Sequence, residues 1–308
     1  MIRSFQISLI TCLFILFSGH AFAQDGARLS FEHYKSVKED VLLVALYEND
    51  SVYNEVVRGS IEKYWKITPF KFVPVQDLDS LALDHTYSML VRDNSHKIRG
   101  RGRLIQRNHL ALFPAGRGSD FSNYGGHFAV SQFQLADIEQ TADYAYKLPA
   151  MIHVMNHYMT FLDTVNYVDE DYFGPLMNEW QNQFRHDLNE STLYITEEDL
   201  PKGVSLDKIK KAYPHPVVVA PKEEIGKLIT SHAPDAAFLH IDPRQKEFWV
   251  ISTETGHILY HAKTQEYGSF GTKDWKVMAK SIKIDEKSPE APVEEAILKV
   301  NKLFGKLK

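Results

Sequence analysis

The sequence predicts an α/β protein of two tandem βαβαββα-type units, three-layer sandwiches packed together. Three observations predict it. Two apolar runs, Val41 to Tyr47 (VLLVALY) and the shorter LYIT around Leu193, have the character of buried strands. Each leads into a helix and then into the same succession of strand, helix, strand and hairpin. The two runs differ little in length but share almost no identities, so hydrophobic pattern repeats rather than functional residues.

The elements follow in order. Residues 24–40 are a polar lead-in. The first unit spans 41–165 and opens on VLLVALY. Asn49, Asp50 and Ser51 then supply helix-capping chemistry for Ser51–Trp65, whose apolar stripe is Val52, Val56, Ile61 and Trp65. Thr68-Pro69 ends that helix. Strand Phe70–Val75, a short helix and strand Tyr87–Val91 come next.

Residues 101–113 predict a hairpin of RLIQ and HLALF turned at Arg107-Asn108. A helical zone covers Leu135–Asp163, interrupted or kinked where Pro149 follows Leu148. Residues 166–190 are a bridge whose Tyr172, Phe173, Trp180 and Phe184 favour an ordered connection. The second unit, 191–308, repeats the pattern with helices Ser205–Tyr213 and Glu223–His232 and strands Val217–Ala220 and Ala236–Ile241. It adds FWVIS and HILYH around Thr253-Glu254-Thr255-Gly256, then helices Lys273–Ile282 and Val293–Leu307.

This order resembles a thioredoxin-like unit. In the redox members of that fold a Cys-x-x-Cys opens the first helix. Here Asn49-Asp50-Ser51-Val52-Tyr53 and Gly203-Val204-Ser205 stand at those places, so the resemblance implies topology without redox chemistry.

Residues 1–23 carry one charge at Arg3, an apolar core too short to span a bilayer, and Ala21-Phe22-Ala23 at the end. That is the pattern of a secretory signal peptide, placing the protein in the periplasm or at the outer surface. The single cysteine, Cys12, lies inside this segment. Cleavage after Ala23 leaves no thiol for disulfides, nucleophilic catalysis or metal binding. The net charge of −5 lacks the basic footprint of a nucleic-acid binder.

Two constellations could carry chemistry. Lys97, Arg99, Arg101 and Arg103 alternate in HKIRGRGRL, which on one strand puts three guanidiniums on one face, with Arg107 and Arg117 nearby. Such a fork suits phosphate or carboxylate, while charged edge strands also serve simply to prevent aggregation. His153 and His157 stand four apart on a helix, as zinc or copper ligands would. However, Val154 replaces the glutamate of a metalloprotease helix, and the alternative is an outer or interdomain face. Met151, Met155 and Met159 run beside them, as core filler or soft ligands. Asp169, Glu170 and Asp171 lack the alternation and glycine of a calcium loop.

No G-x-S-x-G, P-loop or dinucleotide fingerprint is present, and no cofactor is expected. The expected function is non-enzymatic binding or assembly in a bacterial envelope. Partners would be an envelope protein, an acidic glycan or another anionic ligand, met through Arg99, Arg101, Arg103 and Arg107. The alternatives are an envelope hydrolase with its site between the units, and a metal handler using His153 and His157.

Overall fold

The computed structural model describes residues 35, 37–81, 84, 86–99, 103–114, 131–136, 141–164, 170–200, 204–242, 247–264 and 271–285. The proposed signal peptide, most of the polar lead-in and helix 293–307 lie outside them. Among the described residues no helix is long and apolar enough to cross a membrane.

The fold is α/β, with two five-stranded mixed sheets. Strand β1 (Val41–Leu46) is buried at its centre and leads into α1 (Ser51–Tyr64). The Asp50 carboxylate accepts from the Tyr53 N–H at 3.0 Å, satisfying a donor that a helix start leaves open. The buried stripe of α1 is Tyr53, Val57, Ile61 and Tyr64, while Val52, expected to face inward, is half exposed. The tyrosines win the core because each buries a large ring.

After α1 come β2 (Phe70–Pro74), α2 (Leu78–Leu81), β3 (Tyr87–Arg99), β4 (Arg103–Phe113) and β5 (Ser131–Ala136). The sheet order is β2-β1-β3-β4-β5, with β1 parallel to β2 and β3 and the rest antiparallel.

The second sheet consists of β6 (Thr192–Ile195), β7 (Val217–Val219), β8 (Ala236–Asp242), β9 (Glu247–Ser252) and β10 (Ile258–Lys263). Its order is β7-β6-β8-β9-β10, with β6 parallel to β7 and β8, and β8–β9 and β9–β10 antiparallel. The two sheets therefore share strand order and strand sense. Helices α5 (Leu206–Ala212), α6 (Lys222–Ser231) and α7 (Thr272–Asp285) belong to this half.

Three expectations are corrected. No hairpin turns at Arg107-Asn108: β4 runs through both residues and pairs with β3 from Met89↔Phe113 to Arg99↔Arg103. Residues 131–136 form a strand where a helix was expected to begin. Finally, the helix expected from Leu135 begins only at Leu148: α3 (Leu148–Thr164) carries Pro149 in its first turn, where the missing N–H would have no intrahelical partner anyway.

The bridge is ordered over α4 (Glu170–Asn182) and a 3-10 turn at Arg185–Asn189. Trp180 stacks on Phe161 of α3 at 5.2 Å, and Leu188 is buried in the second half's core.

Helix α3 is apolar almost all round, as a central helix must be. Met151, Met155 and Met159 are fully buried and fill the core rather than facing a ligand. One large core joins the halves. It takes Leu42, Val44, Leu90, Leu110 and Leu112 from the first sheet, the inner faces of α1, α3 and α6, and Phe238, Trp249, Ile251 and Ile258 from the second sheet. Alternate residues of β8 and β9, such as Leu239 and Val250, turn to the opposite face and a second core with Ile209 of α5 and Trp275 and Met278 of α7.

Candidate functional site

The basic positions lie on a two-stranded ribbon. Strand β1 pairs with β3 only over Tyr87–Leu90, and β5 pairs with β4 only over Asn108–Leu112. Beyond these points, from Ser95↔Arg107 to Arg99↔Arg103, the two strands pair with each other alone among the described residues. At about 3.3 Å per residue that is a free stretch of about 16 Å. Arg99 and Arg103 are opposite each other at its end, not on one strand as the spacing had suggested.

The register still gathers charge. Directly paired positions share a face, and faces alternate along a strand, so Lys97, Arg99, Arg103 and Arg107 occupy same-face positions. Arg101 and Arg117 lie outside the described residues. The backbone of Glu170 and Asp171 lies in α4, and Asp169 is not described.

At the root of the ribbon the structure builds a polar network that the sequence reading missed. Tyr47, just past β1, replaces the strand partner that β3 has lost. Its hydroxyl accepts from the Arg92 N–H at 2.8 Å and donates to the Arg92 carbonyl at 2.9 Å. The Arg92 guanidinium ion-pairs with Asp50 and donates to Tyr144 Oη at 3.0 Å and Thr141 Oγ1 at 3.2 Å. It also lies over the rings of Tyr47, 4.2 Å to the centroid, and Tyr53, 5.1 Å. Thr141 donates to the same Asp50 carboxylate.

Burial would raise the Asp50 pKa, but hydrogen bonds from Thr141, the Tyr53 N–H and Arg92 hold the carboxyl below its usual value. Burial opposes the charge on Arg92 too, yet hydrogen bonds to Tyr144 and Asp50 keep its pKa above even the usual arginine value. The Tyr53 hydroxyl is buried with no hydrogen-bond partner among the described residues, and burial raises its pKa far above the ordinary phenol value. Asp50 was legible only as a cap, because nothing in the sequence brings Arg92 or Thr141 to it.

The second cluster contains both predicted histidines. His153 stacks on Tyr64 of α1 and on His157, both at 4.5 Å between centroids. His157 meets His257 at 4.3 Å, and His257 stacks on Phe184 at 4.2 Å. The line of rings thus runs from α1 through α3 to the β9–β10 turn and the bridge. His232, at the C-cap of α6, touches it edge-on at Tyr64 and His153.

The polar contacts fix the rings. His157 Nε2–H donates to the Thr255 carbonyl at 2.8 Å, and His232 Nδ1–H donates to the Glu254 carbonyl at 2.8 Å. In neutral His232 the other nitrogen accepts from the Tyr64 hydroxyl at 3.1 Å. Gly256 lies flat on His153: at φ +68° it favours glycine, and a Cβ there would come within 2.3 Å of the His153 ring nitrogen.

Burial lowers the His153 pKa to about 3, helped by His157, His232, His257 and Lys63. It lowers His257 to about 4, helped by His157. It lowers His157 too, against the bond to Thr255. The structure therefore brings His153 and His157 to two further histidines, but as stacked faces. Among the described residues no group of three or more His, Cys, Asp or Glu is arranged to hold a metal.

Finally, a cavity of about 500 Å³ opens where β6 and β7 end, lined in part by Thr196, Glu198, Ala220, Lys222 and Glu223. Lys222 pairs there with Glu198 at 2.9 Å and with Asp143, from the first half, at 3.1 Å. Its charge is thus spent on joining the halves.

No family model matches the chain, and no curated protein or solved structure matches it either.

Proposed function

We propose that this is an exported, non-enzymatic binding or assembly protein of the bacterial envelope that grips an anionic ligand with its β3–β4 ribbon. One observation carries the reading: the register sets Lys97, Arg99, Arg103 and Arg107 at same-face positions of a ribbon that leaves the sheet. An isolated two-stranded ribbon is marginal in water, so docking on a surface is a natural source of its order. Guanidiniums spaced along it suit phosphate and carboxylate groups. The proposed export signal directs the protein to a compartment where such groups are displayed, on glycolipids, acidic glycans or partner proteins.

The closed polar clusters support binding over catalysis. Asp50, Arg92, Thr141 and Tyr144 are engaged with one another, and Lys222 with Asp143 and Glu198.

The test replaces Arg99, Arg101 and Arg103 together by serine and measures co-sedimentation with vesicles containing anionic lipid and retention on an immobilised acidic glycan. Each cation near an anionic surface contributes about 1 kcal/mol, so binding to at least one matrix is expected to weaken about a hundredfold. Unchanged binding on both matrices, or no binding by the unmodified protein, counts against the reading.

A further inference from the structure

We infer that the histidine stack between the halves is an acid-sensitive latch. It is closed while the imidazoles are neutral and released when they take up protons, freeing the Thr253–His257 turn and the C-terminal end of α6 from α3. The inference is independent of the ribbon.

The geometry carries it. Four imidazoles from three elements meet in one cluster: His153 and His157 on α3, His232 at the end of α6, and His257 beside the β9–β10 turn. They face Tyr64 and Lys63 from α1, the backbone carbonyls of Glu254 and Thr255 from the turn, and Phe184 from the bridge. Among the described residues no carboxylate hydrogen-bonds or ion-pairs with any of the four rings. A proton added here therefore meets like charge and aromatic surface rather than a counter-ion.

Several contacts between the halves pass through the same spot. They are the Tyr64–His232 and His157–Thr255 bonds, the Lys63 Nζ bond to the Thr230 carbonyl at 3.3 Å, and the packing of Gly256 on His153. His232 itself holds a left-handed backbone, φ 53°, at the C-cap of α6, and its two ring hydrogen bonds tie that cap to Tyr64 and to the Glu254 carbonyl. Losing the stack removes those two ties.

The direction of the pH effect is fixed. His153 and His257 have closed-state values of about 3 and about 4, below the ordinary 6.5 that they regain on opening. The open state thus binds more protons between those limits. Closure is complete above 6.5 and weakens as pH falls through that window.

Backbone hydrogen exchange on the intact protein, corrected for the intrinsic pH dependence of exchange, reads the latch. Protection of residues 228–236 and 253–258 is expected to fall about tenfold or more between about pH 7 and about pH 4.5, while β1 keeps its protection. The double replacement H153F/H257F keeps two rings in the stack without their protons and should remove most of that loss. Imidazole titration of the unmodified protein by NMR adds a reading that does not depend on how the variant folds, and should find both residues neutral until the segments open. Constant protection across the range, an equal loss in the double variant, or ordinary titration near 6.5 without opening would each overturn the latch.

Discussion

Arg92 owes its position to what surrounds it: a carboxylate, a threonine and a tyrosine hydroxyl gather at its Nη1, and two tyrosine rings lie against its face. Arg92→Ala leaves Asp50 largely buried without its counter-charge and is expected to cost about 2 kcal/mol, read as a lower midpoint in urea denaturation. A midpoint within error of the unmodified protein would show that the network contributes nothing. Tyr53→Phe removes a hydroxyl that has no partner among the described residues, so it should leave stability unchanged or raise it by up to about 1 kcal/mol. A clear loss would mean that the hydroxyl is engaged after all. Gly256→Ala meets both an unfavourable φ and the His153 ring, and is expected to lower stability by about 2 kcal/mol in calorimetry. Asp50 adds a separate acid sensitivity. Its folded value lies below the ordinary 3.8, so its contribution is full above that pH and lost as pH falls through the depressed value. That window opens only at 3.8, near the foot of the histidine window, so in a pH series of denaturation midpoints the histidine loss comes first.

At the scale of elements, the sequence was legible where a pattern is local. The strands β1, β6 and β9 and the capping chemistry ahead of α1 all follow from neighbouring residues and appear where expected. It was illegible where a choice depends on something distant. Arg107-Asn108 reads locally as a turn, but β3 runs on to Arg99 and draws 103–113 into one long partner strand. On α1, Tyr53 and Tyr64 beat Val52 for the core because the rings find Arg92, His153 and His232 across it, none of them a neighbour in sequence. The histidine spacing on α3 was visible, but not the two partners that the second half delivers. Gly226 belongs to this scale too. A Cβ there would come within 3.0 Å of Tyr146 Cβ, so Gly226→Ala should push α6 from the turn at Ala145–Lys147 and lower the thermal midpoint. An unchanged midpoint would show that the contact yields freely.

Over the whole molecule, two sheets of equal strand order and sense share a core built around α3, α1 and α6. Hydrophobic burial holds the halves together, while Lys222 and the histidine stack add polar ties at the seam. Among the described residues the β3–β4 ribbon leaves this body, and the proposed function rests on it. The most direct measurement is a hydrogen-exchange footprint of the intact protein with and without a saturating anionic vesicle or acidic glycan to which it binds. The account predicts new protection over residues 94–108, reversed by salt as charge contacts must be. Protection arising elsewhere, with the ribbon exchanging as fast as in the free protein, would contradict it.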